Sequence, residues 1–476
     1  MEKFYITTPI YYVNDTATIG HAYTTIIGDI IARWNKSQGK NTFYLTGLDE
    51  NSQKTVDAAK KLGIKDIKKY TDDMAEKWKH VWKELNISNN DFIRTTEPRH
   101  KKVVEKFFKK VYEKGDIYKG IYEGLYCDGC EAFYLEKDLI DGKCPYHKKE
   151  PKLIKEENYF FKLTKYSNQI LEHIEKNPNF ILPKSRRNEV ISFIKEGLKD
   201  TSISRPNVEW GIPLPIDKTH HFWVWFDALV NYISGAEKYW PAELHLLAKD
   251  ILRFHCILWI AMLISAEYKL PKTLFVHGFL TINGQKMGKS LGNSIDPIKL
   301  SEKYGVDELR YFLAREIPFG QDGDFSEESL KNRINNELAN ELGNLVNRTL
   351  TLSKKLKEIK KSKLELEFDI KKIKELMEEY KITEALNEIW RFVQDTNKYI
   401  NQKEPWKLQG KELEVVLYNC LESIRKISIL LWSFIPATCE EIQSLLNIKN
   451  QNLTTFNKSI SSYKPREPKI LFNKIK

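Results

Sequence analysis

The most constraining feature of this chain is a pair of short glycine-bearing segments roughly 270 residues apart. The first, Thr18-Ile19-Gly20-His21, follows an apolar, tyrosine-rich run from Phe4 to Val13. Residues 4–14 read as a strand and Ala22 through Trp34 as a helix, so this segment occupies a strand-to-helix turn. The free amides at the start of such a helix favour an anion, and Gly20, lacking a Cβ, lets a ligand approach the backbone. The second, Lys286-Met287-Gly288-Lys289-Ser290, lies in a glycine-punctuated loop after the apolar run Leu274–Val276 and carries two ammonium groups. Each segment alone is commonplace. If both serve one anionic ligand, the fold must bring a strand end near residue 18 and a loop near residue 288 to one place.

The rest of the pattern permits that. Residues 42–47 read as a second strand, ending at Asp49-Glu50, and helical spacing follows through Trp78, Val81, Trp82 and Leu85. Strand, helix, strand with polar residues just past the strand ends predicts a doubly wound, parallel-sheet α/β domain of Rossmann type. Composition changes near residue 118, where short Tyr- and Phe-rich pieces surround a cysteine cluster; residues 118–212 read as an insertion. The α/β pattern resumes at residues 222–227, 245–264 and 273–279. Residues 1–117 and 213–325 are thus expected to form one domain. From 326 the chain turns helical. Ile334, Leu338, Leu342, Leu345, Leu352 and Leu356 form one apolar stripe, and Leu413, Val416, Leu417, Leu421, Ile424, Ile427 and Leu431 another. Residues 326–476 are expected to be an all-α helix bundle with an irregular tail from 447 packed back on the body.

Cysteine spacing gives the strongest local signal. Cys127-x2-Cys130, thirteen residues, then Cys144-x2-His147 matches a tetrahedral zinc knuckle of three thiolates and one imidazole. Four ligands close the coordination sphere, so the metal would be structural. Cys256, Cys420 and Cys439 stand apart and read as reduced core thiols. No apolar run approaches the ~20 residues of a membrane span, and Met1–Phe4 does not open a signal peptide. A cytoplasmic protein without membrane contact is expected. The net charge of +11 suits a polyanionic partner, though only weakly.

The two glycine-bearing segments together, in this order and separation, resemble the signature motifs of class I aminoacyl-tRNA synthetases. The match sharpens with the run from Phe4 to Asn14, Phe92–Glu97, Ile203–Pro206, Val224–Ala228, Lys249–Ile251 and Phe254-His255. These segments and the knuckle resemble bacterial methionyl-tRNA synthetases over about residues 3–445. Larger editing insertions of the leucine, isoleucine and valine relatives have no room in residues 118–212. The resemblance implies an ATP- and Mg2+-dependent ligase joining L-methionine to tRNA(Met). It implies that Thr18, His21, Lys286 and Lys289 act on the phosphates, and that Gly20, His21, Asp250 and Lys289 hold ATP. It implies a methionine pocket of Ile10, Tyr12, Asp49, Trp225, Ala228, Tyr232, His255 and Trp259, with Asp49 on the substrate ammonium and Tyr12 or His255 meeting the sulfur. By spacing alone Trp225, Tyr232 and Trp259 read as core aromatics. Aromatic walls also suit a thioether. The second motif and a region contacting the tRNA stem fall at about 280–325. In the helical domain the resemblance makes Asn344, Arg348 and Trp406 anticodon readers. Base-edge hydrogen bonds and a stacking ring are what single-stranded recognition needs. A monomer is expected.

The chain departs from the family pattern where Thr18 replaces His, Asn51-Ser52 replace His-Gly, Ala248 replaces Gly, Gly288 replaces Ser, and Leu258 and Ile260 flank Trp259. A catalytically weakened or silent synthetase-derived tRNA-binding or regulatory protein is therefore the alternative reading. Loss of one transition-state donor typically slows a reaction ~10²–10³-fold.

Overall fold

The structure, a computed structural model, describes the chain apart from residues 131, 135, 147, 207, 283, 287–293, 450 and 476 and the side chains at 122, 132, 133, 137 and 286. The opening run forms β1 (Lys3–Tyr12), buried along most of its length as the apolar sequence demands. It leads into α1 (Ile19–Ser37), then β2 (Asn41–Asp49), α2 (Gln53–Lys61), α3 (Ile67–Glu84) and β3 (Asp91–Arg94). After an antiparallel insertion hairpin, β4 (Ile117–Cys127) with β5 (Lys152–Phe161), come β6 (Ile181–Leu182), α4 (Val224–Leu229), β7 (Leu244–Ala248) and β8 (Thr273–His277).

The central sheet runs β3-β2-β1-β7-β8-β6, and all its pairings are parallel. Strand order reverses between β1 and β7. That is the switch point of a doubly wound sheet, where ligands bind beyond the carboxyl ends of the strands. Two features of the sheet depart from the sequence pattern. Pro9 lies inside the central strand β1 and cannot donate to the ladder; the register with β2 shifts between Thr7 and Ile10. That bulge re-aims Ile10 and Tyr12 at the end of the strand. The expected insertion, residues 118–212, also sends Ile181–Leu182 back into the sheet edge beside β8.

The C-terminal part is helical, with α5 (Val306–Glu316) leading into α6 (Asn344–Ser353), α7 (Ile382–Lys403) and α8 (Gly410–Leu431). The second apolar stripe, on α8, is fully buried. The first is buried as far as Leu345, whereas Leu352, in the last turn of α6, and Leu356, beyond its end at Ser353, are half-buried. Residues 334–343 wind as a π-helix, which shifts the ideal 3.6-residue spacing. The tail packs back: Ser462–Tyr463 pair with Ile359–Lys360, and Asn335 bonds Ile475. Arg310 of α5 joins the two parts. Its guanidinium donates to Asp29 of α1 at 2.7 Å and to the carbonyls of Ser433 and Phe434, with both side chains fully buried. Among the described residues no helix is long and apolar enough to cross a membrane.

Candidate active site

Thr18 is the N-cap of α1, and His21 stands three residues on. The Thr18 amide donates to His21 Nδ1 at 3.0 Å, and the Thr18 hydroxyl lies 3.0 Å from the same nitrogen. An amide can only donate, so Nδ1 accepts and the neutral ring carries its proton on Nε2. Edge contacts with Tyr11 at 5.0 Å and Trp78 at 5.2 Å clamp the ring. A Cβ built on Gly20 would meet nothing closer than Thr18 Oγ1 at 3.7 Å. The fold does not itself demand a glycine here, so the space beside the helix start is left open.

Both flanks of the second motif are tied to this helix. The Thr24 hydroxyl, on α1, bonds His277 Nε2 at 2.8 Å where β8 ends, and the Ile19 amide donates to the Ile295 carbonyl at 3.0 Å. His277 Nδ1 faces the Gly278 carbonyl at 2.7 Å, which fixes its tautomer, and burial keeps it below the usual histidine range. Residues 287–293, including Gly288 and Lys289, and the side chain of Lys286 lie outside the described residues. Asp250, half-buried, follows the end of β7. Its neighbour Lys249 is bound to Asp322 at 2.6 Å.

The expected pocket residues gather beyond β1, β2 and β7. Tyr12 and Asp49 are cross-strand neighbours at the ends of β1 and β2. Asn51 donates to Asp227 at 2.9 Å and to the Thr95 carbonyl, so this departure from the family pattern links β2 to α4. Trp225 of α4 stacks on Phe254 at 3.9 Å and meets His255 edge-on; Tyr232 lies 6.0 Å from Trp259. Ala228 of α4 is buried, and Ile10 is half-buried against the adjoining cluster of Tyr5, Leu45 and Ile93. Residues 254–259 form a π-helical turn, which puts His255 and Trp259 on this side. His255 Nδ1 donates to the Ile251 carbonyl at 3.0 Å, and its Nε2 accepts from the Tyr232 hydroxyl at 2.7 Å. Burial lowers its pKa to about 4. The ring is therefore neutral with both nitrogens engaged, and none is left to donate to a thioether. The indole N–H groups of Trp225 and Trp259 are buried and have no hydrogen-bond partner among the described residues.

In the insertion the sulfurs of Cys127, Cys130 and Cys144 lie within 4.8 Å of one another, with Cys130 and Cys144 at 3.5 Å and no disulfide. Tetrahedral zinc at ~2.3 Å from each thiolate needs sulfurs ~3.8 Å apart, so the cluster fits a metal ion. The Tyr134 hydroxyl donates to Cys130 at 3.0 Å. His147 lies outside the described residues. Cys256, Cys420 and Cys439 are buried free thiols.

On the helical part Asn344 is exposed and Arg348 half-buried, one turn apart on α6. The Arg348 guanidinium lies 5.7 Å from the centre of the Trp406 ring, which is 43% exposed, and donates to Asn401 at 3.0 Å. Arg348 also lines an open groove of about 560 Å³ with Asn340, Glu341, Gln394, Asn397 and Asn401. This row of amides from α7 escaped the sequence reading because it carries no spacing signal apart from the helix that presents it.

The chain matches the family model described as tRNA synthetases class I (M) over residues 4–151 and 135–350, and that of the anticodon-binding domain of tRNA ligase over 329–474. It is 48% identical to a methionine–tRNA ligase of Thermotoga maritima over 92% of this chain and 74% of the relative. It is 46% identical to that of Caldanaerobacter subterraneus over 96% of this chain and 75% of the relative. Among solved structures, Mycobacterium tuberculosis methionyl-tRNA synthetase in complex with methionyl-adenylate superposes with a TM-score of 0.94 at 35% identity, covering 99% of this chain and 100% of that one.

Proposed function

This chain belongs to the methionyl-tRNA synthetases of class I, and from that membership we propose that it joins methionine to its tRNA in two steps. The methionine carboxylate attacks the α-phosphorus of ATP; the bond to the bridging oxygen breaks and pyrophosphate leaves with the electron pair. A hydroxyl of the tRNA 3′-terminal ribose then attacks the acyl carbon of methionyl-adenylate and AMP departs. Positioning and charge stabilisation carry such a reaction. The observation that supports the reading best is the double tie between α1 and the flanks of the second motif, Thr24 to His277 and Ile19 to Ile295.

In this reading His21 donates Nε2–H to a phosphate oxygen, with Thr18 holding the ring and Gly20 leaving room. Lys286 and Lys289 neutralise the leaving phosphates. Asp250 takes the ATP ribose. Asp49 binds the substrate ammonium, while Ile10, Tyr12, Trp225, Ala228, Tyr232, His255 and Trp259 wall the thioether. Mg2+ accompanies ATP and screens the phosphate charge. Zn2+ on Cys127, Cys130, Cys144 and His147 supplies folding energy to the insertion. Residues 1–117 and 213–325 act as the catalytic domain, 118–212 as the insertion and 326–476 as the anticodon-binding part. There Asn344, Arg348 and Trp406 read tRNA(Met). The protein works as a cytoplasmic monomer.

Methionine-dependent ATP–pyrophosphate exchange and charging of tRNA(Met) test this together. Exchange and charging by the unmodified chain are expected, with Trp406→Ala losing charging efficiency and keeping exchange. A folded chain without exchange would favour the silent regulatory protein.

A further inference from the structure

Lys54 stands five residues beyond Asp49. It lies in the first turn of α2, just past the end of β2, and is half-buried. That is an adverse place for a cation, because the helix start is already its positive end. Among the described residues Lys54 forms no salt bridge or hydrogen bond. Its ammonium instead rests 3.9 Å from the centre of the Tyr12 ring. The other cations around this end of the sheet are mostly neutralised: Arg94 by Glu50 and Asp72, Arg205 by Glu156, Lys249 by Asp322. A lysine that breaks a local rule and keeps its charge unspent, beside a pocket, marks a place where a ligand brings the missing anion.

The register supplies the counterpart. Tyr12 pairs with Asp49 across β1 and β2. Register partners in a parallel pair send their side chains to the same side of the sheet, so the carboxylate of Asp49 and the cation above Tyr12 flank one strand end. A free α-amino acid carries its ammonium and its carboxylate on one carbon, and an anion beside a cation at one strand end suits that zwitterion. Resting on the methionine-activating reading of the same site, we propose that Lys54 receives the substrate's α-carboxylate while Asp49 takes its ammonium. Charge-assisted contacts of this kind are among the stronger hydrogen bonds. Lys54 therefore selects a free carboxylate in the ground state. It holds the nucleophile before attack, so its removal shows in substrate binding more than in turnover.

The test compares L-methionine with L-methioninol, which keeps the ammonium and the thioether but has an alcohol in place of the carboxylate. Calorimetric titration of the full chain with each ligand is run on wild type, K54M, K54Q and K54R. K54M and K54Q are expected to weaken L-methionine at least tenfold and leave methioninol within about threefold, with K54R recovering most of the loss. Retained methioninol binding also certifies the fold of each variant. A loss for L-methionine below tenfold, or a parallel loss for both ligands, would overturn the assignment. If the wild type binds neither ligand, the proposed function fails instead.

Discussion

Replacing Thr18 by valine removes one hydroxyl and keeps nearly the same shape, and its cost separates two roles for this residue. If the hydroxyl contacted the transition-state phosphate, its loss would slow activation ~10²–10³-fold. The structure places it 3.0 Å from His21 Nδ1, alongside the Thr18 amide that donates to the same nitrogen. Valine leaves that amide in place, so His21 keeps one of two donors and still carries its proton on Nε2. A neutral hydrogen bond contributes about 0.5–1.5 kcal/mol, so the expected slowing is about 2- to 13-fold. Thr18→Ser should stay within about twofold, because it keeps the hydroxyl and a good N-cap. The measurement is kcat/KM for ATP in methionine-dependent pyrophosphate exchange, paired with ¹⁵N chemical shifts of the His21 ring to report the tautomer. A hundredfold loss in the valine variant with the tautomer unchanged would refute the positioning role and return the hydroxyl to the phosphate.

Chelation should expose residues 118–155 to hydrogen exchange before the central sheet loosens, with about one zinc released per chain by elemental analysis; simultaneous loosening of β1 and β2 would contradict a confined structural metal. Arg310→Met leaves the buried Asp29 carboxylate with Arg33 as its one guanidinium partner beside the Ser88 donors, and strips donors from the Ser433 and Phe434 carbonyls. A loss of about 3–5 kcal/mol is expected in denaturant unfolding, and a loss below 1 would count against the joint. His255, held at about 4 when folded and near 6.5 unfolded, takes up a proton on unfolding between those pH values. Stability should therefore fall as pH drops through that window, by about 3 kcal/mol at its lower end. His255→Gln should flatten the slope of urea midpoint against pH by about one proton, and an unchanged slope would refute it.

What was legible in the sequence was whatever repeats or alternates locally. The apolar run from Phe4, the stripe on α8 and the paired cysteines each announce a strand, a buried helix face and a metal-ligand cluster through spacing alone, and each is found there. The family resemblance then linked segments far apart. What stayed hidden depends on partners that spacing does not encode. Pro9 inside a strand says that pairing must slip, but not that the slip re-aims Tyr12. Asn51 reads as a lost histidine until Asp227, 176 residues on, is seen to accept its amide hydrogen. Ile181–Leu182 lie too few in number to register as a strand, and only β8 makes them one.

Asp29 carries the same lesson into the energetics. In sequence it is a charged residue in the middle of an apolar helix, which read alone counts against a buried α1. Arg33, four residues on, could have suggested a local ion pair, but such a pair would not justify a fully buried carboxylate. The second partner, Arg310, lies 281 residues downstream, and it brings the carbonyls of residues 85, 86, 433 and 434 with it. The Ser88 amide and hydroxyl complete the shell around Asp29, and its carboxyl is held below the usual range by the two guanidinium groups and these hydrogen bonds, against the pull of burial. Asp29 is eight residues beyond His21, about 12 Å along the helix at 1.5 Å per residue. One helix thus bears His21 of the first motif at its start and the joint to the helical part near its middle. A directional, fully satisfied charge cluster fixes the helix's rotation about its own axis more sharply than apolar packing, which tolerates small slides, and that rotation decides where His21 points.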